Sequence, residues 1–310
     1  MLRIALSAIA VSLLALTINA GLALAQPARV FVAAQGLDSN PCTFALPCRT
    51  FQHAHDVVAA NGEIDVLDPA GYGAVTITKS ISIQGHGFAG ISAPGAGATA
   101  IIISAGGTDK ISLRGLLIDG VGTGDRGIKF LAGGSLDLQD CVIRNFVADG
   151  LGFFPSATSA LFVSNSHLSD NGGGIIVGSA VVATGSASGA LDHVVIKNNA
   201  GYGIFFGTPL ASVKFSVSDS VISNNSAGVD VFGNGNPLDV TVRNTTISNN
   251  GGFGLQAAVA PTIVRVTKST ITGNAQGFAH GAGAQIITGA DNFLNGNTAD
   301  GAPTSTVTLQ

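Results

Sequence analysis

The sequence predicts an all-β fold, a parallel β-helix that winds through three short strands in about 25 residues per rung. Composition, an internal period and a pattern repeated inside each period support this prediction. Only 10% of the residues are charged, compared with about 25% in a typical chain. The chain also has 43 glycines and no tryptophan. Few charges and many glycines favour strands joined by tight turns, and they exclude a helical bundle.

The period appears when the sequence is aligned on the apolar residue that precedes each Asn or Gly pair. We call these residues the anchors, and the steps between them are 25, 25, 28, 26, 25, 24 and 23 residues. A period of this length marks a repeat fold, in which one unit cannot bury its apolar face without its neighbours. The anchors are Ile118, Ile143, Leu168, Ile196, Ile222, Ile247, Ile271 and Leu294.

Each unit has a constant pattern around its anchor. Apolar pairs stand seven and five residues before it, and a glycine precedes an apolar residue six to nine residues after it. This alternation predicts three short strands per unit, with no room for a crossover helix. It excludes βαβ folds and the longer leucine-rich repeats, and it predicts three parallel sheets around one core. The pairs are Leu136/Leu138, Leu161/Val163, Phe215/Val217, Val240/Val242 and Val264/Val266.

The first 25 residues are predicted to be a secretory signal peptide. Arg3 is followed by an apolar stretch from 4 to 16, and Ala23-Leu24-Ala25 forms a cleavage signal. The pattern predicts a secreted or periplasmic protein that is cleaved after Ala25. An uncleaved membrane anchor is the alternative, although the apolar stretch is shorter than the ~20 residues that a span needs.

Residues 26–310 are predicted to form a single domain. Residues 26–62 are expected to be an N-terminal cap with a short helix near 50–60, residues 63–297 the stacked rungs, and residues 298–310 a C-terminal strand or tail. No stretch in this part has the length and hydrophobicity of a membrane span. A net charge of −4 without a basic stripe argues against a nucleic-acid partner, and we expect a monomer.

The segment "VFVAAQGLDSNPCTFALPCRTFQHAHDVV" at 30–58 is similar to the G-x-D-x-N-P-G-T…P-[FW]-[KR]-T opening of many exported β-helix proteins. With the repeats, it makes nearly the whole mature chain resemble the right-handed parallel β-helix of the pectin-lyase-like superfamily. The resemblance implies a right-handed winding, and it implies little about activity because such folds host many functions. The matching residues are Gly36, Asp38, Asn40, Pro41, Thr43, Pro47, Arg49 and Thr50.

Cys42 and Cys48 depart from that opening, because they stand where glycine and an aromatic residue are usual. In an exported chain we interpret them as a disulfide. Two free thiols are the alternative, and a metal site with His53 and His55 is a weaker one. Cys141 is expected to be a small buried residue, since other rungs have serine or threonine at its position.

Two polar columns are predicted to turn the chain at the corners of each rung. The first lies three residues before the anchors, where side chains stacked on one another are expected to hydrogen-bond as a ladder. The second is the Asn-Asn doublet after the anchor, with the following glycines expected to supply positive φ. The first column comprises Asp140, Asn165, His193, Asp219, Asn244, Lys268 and Asp291.

Catalytic motifs of the similar enzymes are mostly missing. Polygalacturonase-like enzymes need paired aspartates, and this sequence has no Asp-Asp dipeptide. Gly85-His86-Gly87 looks like their histidine motif, but it precedes the repeats and is interpreted as a turn. Asp192 and His193 resemble the Asp-His strand of pectate lyases, yet His193 falls in a corner column.

A cluster of charge in residues 119–149 is the main candidate site. The similar enzymes carry their groove on this side, and their lyase chemistry implies aspartates that hold Ca²⁺ against an acidic sugar and an Arg or Lys that removes a proton. The structural alternative is ion pairing between rungs, with Asp119 over Arg144. The substrate-binding candidates are Asp119, Asp125, Arg126, Asp149, Tyr202 and Phe205. The catalytic candidates are Arg144, Lys129 and Lys197, and the possible Ca²⁺ ligands are Asp125 and Asp149.

The function predicted from these features is carbohydrate binding by an exported β-helix that faces a polysaccharide or a cell-surface glycan. No cofactor is required for that role, and Ca²⁺ is expected only if the protein is a lyase. The first alternative is an enzyme acting on an acidic polysaccharide, a lyase in preference to a glycoside hydrolase. The second is a structural or adhesion solenoid without catalysis. Nearly constant steps argue against the long insertions that flank a catalytic cleft, and so favour the non-catalytic functions.

Overall fold

The computed structural model describes residues 26–178, 184–207 and 209–307 of the 310-residue chain. The predicted signal peptide lies outside the described residues. Within them the chain winds as a parallel β-helix with one short helix, which confirms the all-β prediction. No helix in these ranges has the length and hydrophobicity to span a membrane.

Three faces run along the solenoid, each built from strands that pair in parallel with the rungs before and after. We call them faces A, B and C, and each rung passes through them in the order B, C, A. Face A is a nine-stranded sheet. Its strands are Val75–Ile77, Thr99–Ser104, Arg126–Ala132, Asp149–Phe153, Gly173–Val177, Tyr202–Gly207, Ala227–Phe232, Phe253–Val259 and Gln276–His280.

Faces B and C are joined by hydrogen bonding into one 20-stranded sheet, because the strands Ile81–Ser92 and Lys110–Asp119 run round the corner between them. Face B also contains Arg29–Val32, Gly62–Val66, Ser135–Gln139, Ser159–Ser164, Ser186–Asp192, Ser212–Ser218, Leu238–Arg243, Thr262–Thr267, Gln285–Thr288 and Ser305–Thr306. Face C also contains Ala70–Gly71, Val142–Arg144, His167–Ser169, Val195–Lys197, Val221–Ser223, Thr246–Ser248, Thr270–Thr272 and Phe293–Leu294.

The anchors form one continuous column inside face C. Each pairs with the anchor of the next rung, from Ile118 to Leu294. From Ile118 to Ile271 every anchor is at most 1% exposed. Burial of such a side chain contributes about 1.5–3 kcal/mol, so this column is a major part of the core. The predicted period and register are confirmed.

The N-terminal cap closes one end of the solenoid. The helix Phe51–Val57 begins after Thr50, whose Oγ1 accepts a hydrogen bond from the His53 backbone N–H at 3.2 Å. The predicted disulfide between Cys42 and Cys48 is confirmed. The loop it closes pairs with the first strand, since Phe31 exchanges backbone hydrogen bonds of 2.9 Å with both cysteines. The loop thereby covers a strand edge that would otherwise remain unpaired.

The corner between faces B and C is a single residue in the left-handed conformation. The predicted column has φ between 47° and 55° from Asp140 to Lys268, and Ala290 with φ 62° replaces Asp291 in the last rung. Asn and Asp adopt this region more readily than other residues with a Cβ. The expected corner role is confirmed.

The corner between faces C and A contains the side-chain ladder of the fold. The first residue of each Asn doublet has positive φ, as Asn224 does at 57°. The second residue points into the core, where each Nδ2 donates to the Oδ1 of the next rung at 2.8–3.2 Å. We call this row the inner ladder: Asn171, Asn199, Asn225, Asn250, Asn274 and Asn297. The continuous ladder is therefore here and not in the B–C corner column.

The glycines that follow the doublets have a steric role. The expectation that they supply positive φ is wrong, because Gly228, Gly251, Gly252 and Gly254 are not in that region. A Cβ on Gly228 would lie 2.2 Å from the Gly254 carbonyl oxygen and 3.1 Å from Nδ2 of Asn250. Glycine is needed here because the inner ladder and the next rung approach the backbone too closely for a side chain.

We expect Gly228→Ala to destabilise the protein far more than Gly251→Ala. The first substitution forces backbone atoms of two rungs apart and should cost about 2–4 kcal/mol. At Gly251 the nearest atom to a new Cβ is 3.5 Å away, so the free energy of unfolding should change by less than about 1 kcal/mol. Urea denaturation followed by circular dichroism measures both, and equal losses would contradict the steric role.

Candidate functional site

A shallow groove on face A brings together several of the predicted site residues. It encloses about 370 Å³ and is lined by Arg126, Asp149, Phe154, Ile176, Gly178, Tyr202 and Phe205. Four of these seven residues are substrate-binding candidates from the sequence. They come from successive rungs, so the groove runs along the solenoid axis.

One column of outward positions on face A passes through the groove, where Ile176 and Phe205 belong to the lining. Its members pair from rung to rung as Lys129, Gly152, Ile176, Phe205, Asp230 and Gln256. Two glycines make room for aromatic rings lying against the sheet. A Cβ on Gly152 would lie 2.5 Å from the Phe154 ring, and one on Gly207 would lie 2.1 Å from the Phe205 ring.

Aromatic rings continue this surface toward the C-terminal rungs. The Tyr202 ring centroid lies 5.3 Å from that of Phe205 and 6.4 Å from that of Phe253. Tyr202 is 37% exposed, whereas Phe154 is 4% exposed. The neighbouring Phe206 is fully buried and packs on Phe215 in the core. The accessible aromatic surface beside the groove therefore consists mainly of Tyr202, Phe205 and Phe253.

Arg126 is the cation at the other end of the groove. Its Nη1 lies 2.8 Å from Oδ2 of Asp125 and its Nε lies 3.0 Å from Oδ2 of Asp149. The guanidinium also lies 5.8 Å from the centroid of the Phe154 ring. Burial raises the pKa of Asp149, and Arg126 opposes that rise.

The same contacts bear on the predicted Ca²⁺ ligands. Asp125 and Asp149 are both engaged by Arg126, so a guanidinium already provides the positive charge that a calcium ion would bring. Calcium prefers six to eight oxygen ligands, and this donor set does not fit that requirement. A calcium site at these residues stays a prediction that the contacts do not favour.

The remaining predicted residues are divided between two faces. Arg144 Nε lies 2.9 Å from Asp119 Oδ2 on face C, which is the ion pair between rungs expected as the structural alternative. Lys197 follows in the same column two rungs later, with Ser169 between. Lys129 lies on face A. The three catalytic candidates are therefore not brought together at one point.

Asp230 is a candidate that sequence reasoning did not single out. It lies between Phe205 and Gln256 in the outward column, yet it is only 4% exposed. Its Oδ1 is buried without a hydrogen-bond partner among the described atoms. Burial raises the pKa of Asp230 to about 7. Alternation in Val229-Asp230-Val231 is the signal that places this carboxyl on the groove side.

Cys141 is not a candidate nucleophile. Its side chain is fully buried, and its Sγ accepts a hydrogen bond from the Leu116 backbone N–H at 3.4 Å. Burial raises the pKa of the thiol to about 12, so the reactive thiolate is scarce at neutral pH.

We expect Asp230→Asn to stabilise the protein at pH 8 and to have much less effect at pH 5. The folded protein binds the Asp230 proton more tightly than the unfolded chain, so the wild type loses stability as pH rises toward and through about 7. The side chain of the Asp230→Asn variant cannot ionise, so the variant avoids this loss of stability. At 1.36 kcal/mol per pKa unit, the loss corresponds to ~2–4 kcal/mol in the free energy of unfolding. Urea denaturation of both proteins at both pH values measures the gap. If the two proteins differ in free energy of unfolding by the same amount at both pH values, Asp230 titrates normally.

Comparison with solved structures places this architecture among polysaccharide-active proteins of low sequence identity. The pectate lyase Pel9A aligns with a TM-score of 0.67 and 15% identity, over 89% of this chain and 79% of that one. The alginate lyase from Paenibacillus sp. str. FPU-7 aligns with a TM-score of 0.65 and 15% identity, over 90% and 97%. The A-module of mannuronan C-5 epimerase AlgE4 from Azotobacter vinelandii aligns with a TM-score of 0.56 and 14% identity, over 91% and 89%.

These similarities show the fold, which is that of the pectin-lyase-like β-helices, as the sequence predicted. No curated protein matches the chain by sequence. The family model described as "Right handed beta helix region" matches residues 99–258 and 177–308. These overlapping matches span about two thirds of the chain and confirm the right-handed winding. The protein therefore belongs to the right-handed β-helix family.

Proposed function

We propose that this protein is an exported β-helix that binds a polysaccharide in the groove on face A. The observation that carries the proposal is the groove itself, in which Arg126, Asp149, Tyr202 and Phe205 line one channel along the solenoid. Successive rungs repeat every ~4.8 Å, so the channel offers successive positions along one line. A linear polymer matches such a series better than a compact ligand does.

The aromatic part of the groove supports sugar binding by stacking. The rings of Tyr202 and Phe205 lie beside each other on the outer surface of face A. Aromatic faces present a broad apolar area at low cost in conformational entropy. The apolar face of a sugar ring complements that area, while its hydroxyls remain in water.

The charged part of the groove supports an acidic polysaccharide. Arg126 presents a guanidinium that can pair with a carboxylate, and Lys129 lies three residues later on the same face A strand. The structural neighbours are named as acting on pectate, alginate and mannuronan. Their names support an acidic polymer as the first ligand to test.

Export is part of the proposal. A disulfide is stable in oxidising compartments, and Cys42 and Cys48 form one in the cap. The predicted cleavage after Ala25 would deliver a chain that begins at Gln26.

Catalysis is the second candidate function, and Asp230 favours it. A carboxyl with a pKa of about 7 beside the groove has the acidity that suits a general acid or base at neutral pH. The reaction would be a lyase or hydrolase reaction on the bound polymer. The structural or adhesion function would apply if neither binding nor turnover is found.

We expect Tyr202→Ala and Phe205→Ala each to weaken binding to the recognised polysaccharide. Loss of one stacked ring should cost about 1–2 kcal/mol, which is ~5–30-fold in Kd. The matched control is Phe162→Ala, an exposed aromatic residue on face B, which should leave Kd unchanged. Affinity electrophoresis and calorimetry with pectate, alginate and neutral glucans measure the effect. Equal losses in all three variants, or no binding by the wild type, would contradict the proposed groove.

We expect Arg126→Ala to weaken binding of acidic polymers selectively. Its control is Arg265→Ala, because Arg265 also pairs with an aspartate, Asp239, but lies on face B. The loss should shrink as salt rises, since the interaction is between charges. Absorbance of unsaturated products, with and without Ca²⁺, tests turnover in the same samples. Turnover that disappears in Asp230→Asn would support a lyase or hydrolase over simple binding.

A further inference from the structure

A second cluster of functional side chains lies at the corner between faces B and C, away from the groove. Asp192 ends a face B strand, His193 forms the corner, and Asp219 forms the same corner in the next rung. One ligand atom from each residue lies within 4.8 Å of the other two. His193 Nδ1 is 2.8 Å from Oδ2 of Asp192.

The backbone holds these side chains next to each other. His193 and Asp219 both have φ 51° at equivalent positions of adjacent rungs, and strands of adjacent rungs are ~4.8 Å apart. Uncharged neighbours fix one oxygen of each carboxylate. Ser218 Oγ donates to Oδ1 of Asp192 at 2.6 Å, and Asn244 Nδ2 donates to Oδ1 of Asp219. Outer partners of this kind orient the ligands of metal sites.

The charge at this corner is not neutralised by arginine or lysine. Within the described ranges neither Asp192 nor Asp219 forms an ion pair with such a residue, and His193 is the only basic partner. The contrast with other carboxylates is clear, since seven in the described ranges pair with arginine: Glu63, Asp65, Asp119, Asp125, Asp140, Asp149 and Asp239. Two carboxylates and an imidazole therefore face one point with excess negative charge.

We propose that Asp192, His193 and Asp219 bind a divalent transition-metal ion of the Zn²⁺ type. One imidazole nitrogen and two carboxylate oxygens are a donor set that Zn²⁺ accepts, with water in the remaining position. The nitrogen ligand favours Zn²⁺ over Ca²⁺ and Mg²⁺, which prefer oxygen. The metal takes the place of the proton shared by His193 and Asp192, and that proton is released to solvent.

A metal at this position would link two consecutive rungs outside the hydrophobic core. It would hold the strand Ser186–Asp192 to the corner of the following rung at Asp219. The other close group of possible ligands, Cys42, Cys48 and His53, is not equivalent. The sulfur atoms of Cys42 and Cys48 are bonded to each other in the disulfide and do not act as thiolate ligands.

The test uses the tag-free mature protein after removal of metals with a chelator. Zn²⁺ is titrated in competition with a chromophoric chelator, and the variants are His193→Asn and Asp219→Asn. Asparagine is suited to both positions, because Asn165 and Asn244 form the same corner with positive φ in neighbouring rungs. The control is His86→Asn, since His86 also has positive φ and its Nε2 lies 2.6 Å from Asp65 Oδ1.

We expect one equivalent of Zn²⁺ to bind the wild type and the His86→Asn control equally. Both corner variants should bind at least about tenfold more weakly. Thermal unfolding gives a second readout, because Zn²⁺ should raise the Tm of the wild type and the control but not of the corner variants. Similar Tm values without metal would show that every variant is folded.

Two results would overturn the proposal. One is a wild type that binds Zn²⁺ no more tightly than His193→Asn does. The other is an equal loss in the His86→Asn control, which would indicate nonspecific binding to surface histidines. Polysaccharide binding at face A is measured separately, so failure of one proposal leaves the other unaffected.

Discussion

Hydrogen bonding between neighbouring rungs is the interaction on which the rest of the structure depends. Backbone groups of each strand pair with the rungs on either side, and the inner ladder repeats the same pairing with side chains. Buried amide groups are costly unless every donor and acceptor is satisfied. The ladder meets this requirement because each Oδ1 also accepts the backbone N–H of the equivalent residue in the preceding rung, as Asn250 does from Asn225 and Asn171 does from Phe146.

The requirement for a ladder fixes features that look unrelated in the sequence. A glycine is needed at the second position of most face A strands, because the ladder amide and the next anchor occupy the space of a Cβ. For Gly203 these atoms are Nδ2 of Asn225 at 2.9 Å and Cγ2 of Ile222 at 2.6 Å. The groove also depends on the absence of side chains at glycines, since the rings of Phe154 and Phe205 lie over glycines. Regular packing inside the rung and the flat aromatic surface outside it are two results of close approach between rungs.

Most of the fold was predictable because it is determined by local pattern. The anchors alternate with polar residues and recur at a constant period, so register follows from counting. Cys42 and Cys48 lie in one short loop, which made their pairing predictable as well. The site was only partly predictable. Tyr202 and Phe205 could be named, but the side on which each ring lies depends on which neighbouring position is a glycine. Asp230 is buried by residues of other rungs, and sequence distance gives no measure of that contact.

The inner ladder also has a direction. Each Nδ2 donates to the ladder residue of the next rung toward the C-terminus, and it also donates to an anchor carbonyl of the preceding rung, as Asn225 does to Ile196. The last member, Asn297, donates from both its backbone N–H and its Nδ2 to Oδ1 of Asp300. The aligned amides form a chain of dipoles whose positive end points at that carboxylate. An aspartate accepts hydrogen bonds but has no amide to donate to a further rung. Asp300 therefore terminates the array, and a chain extended by another rung would need an asparagine at this point to avoid enclosing a negative charge in its core.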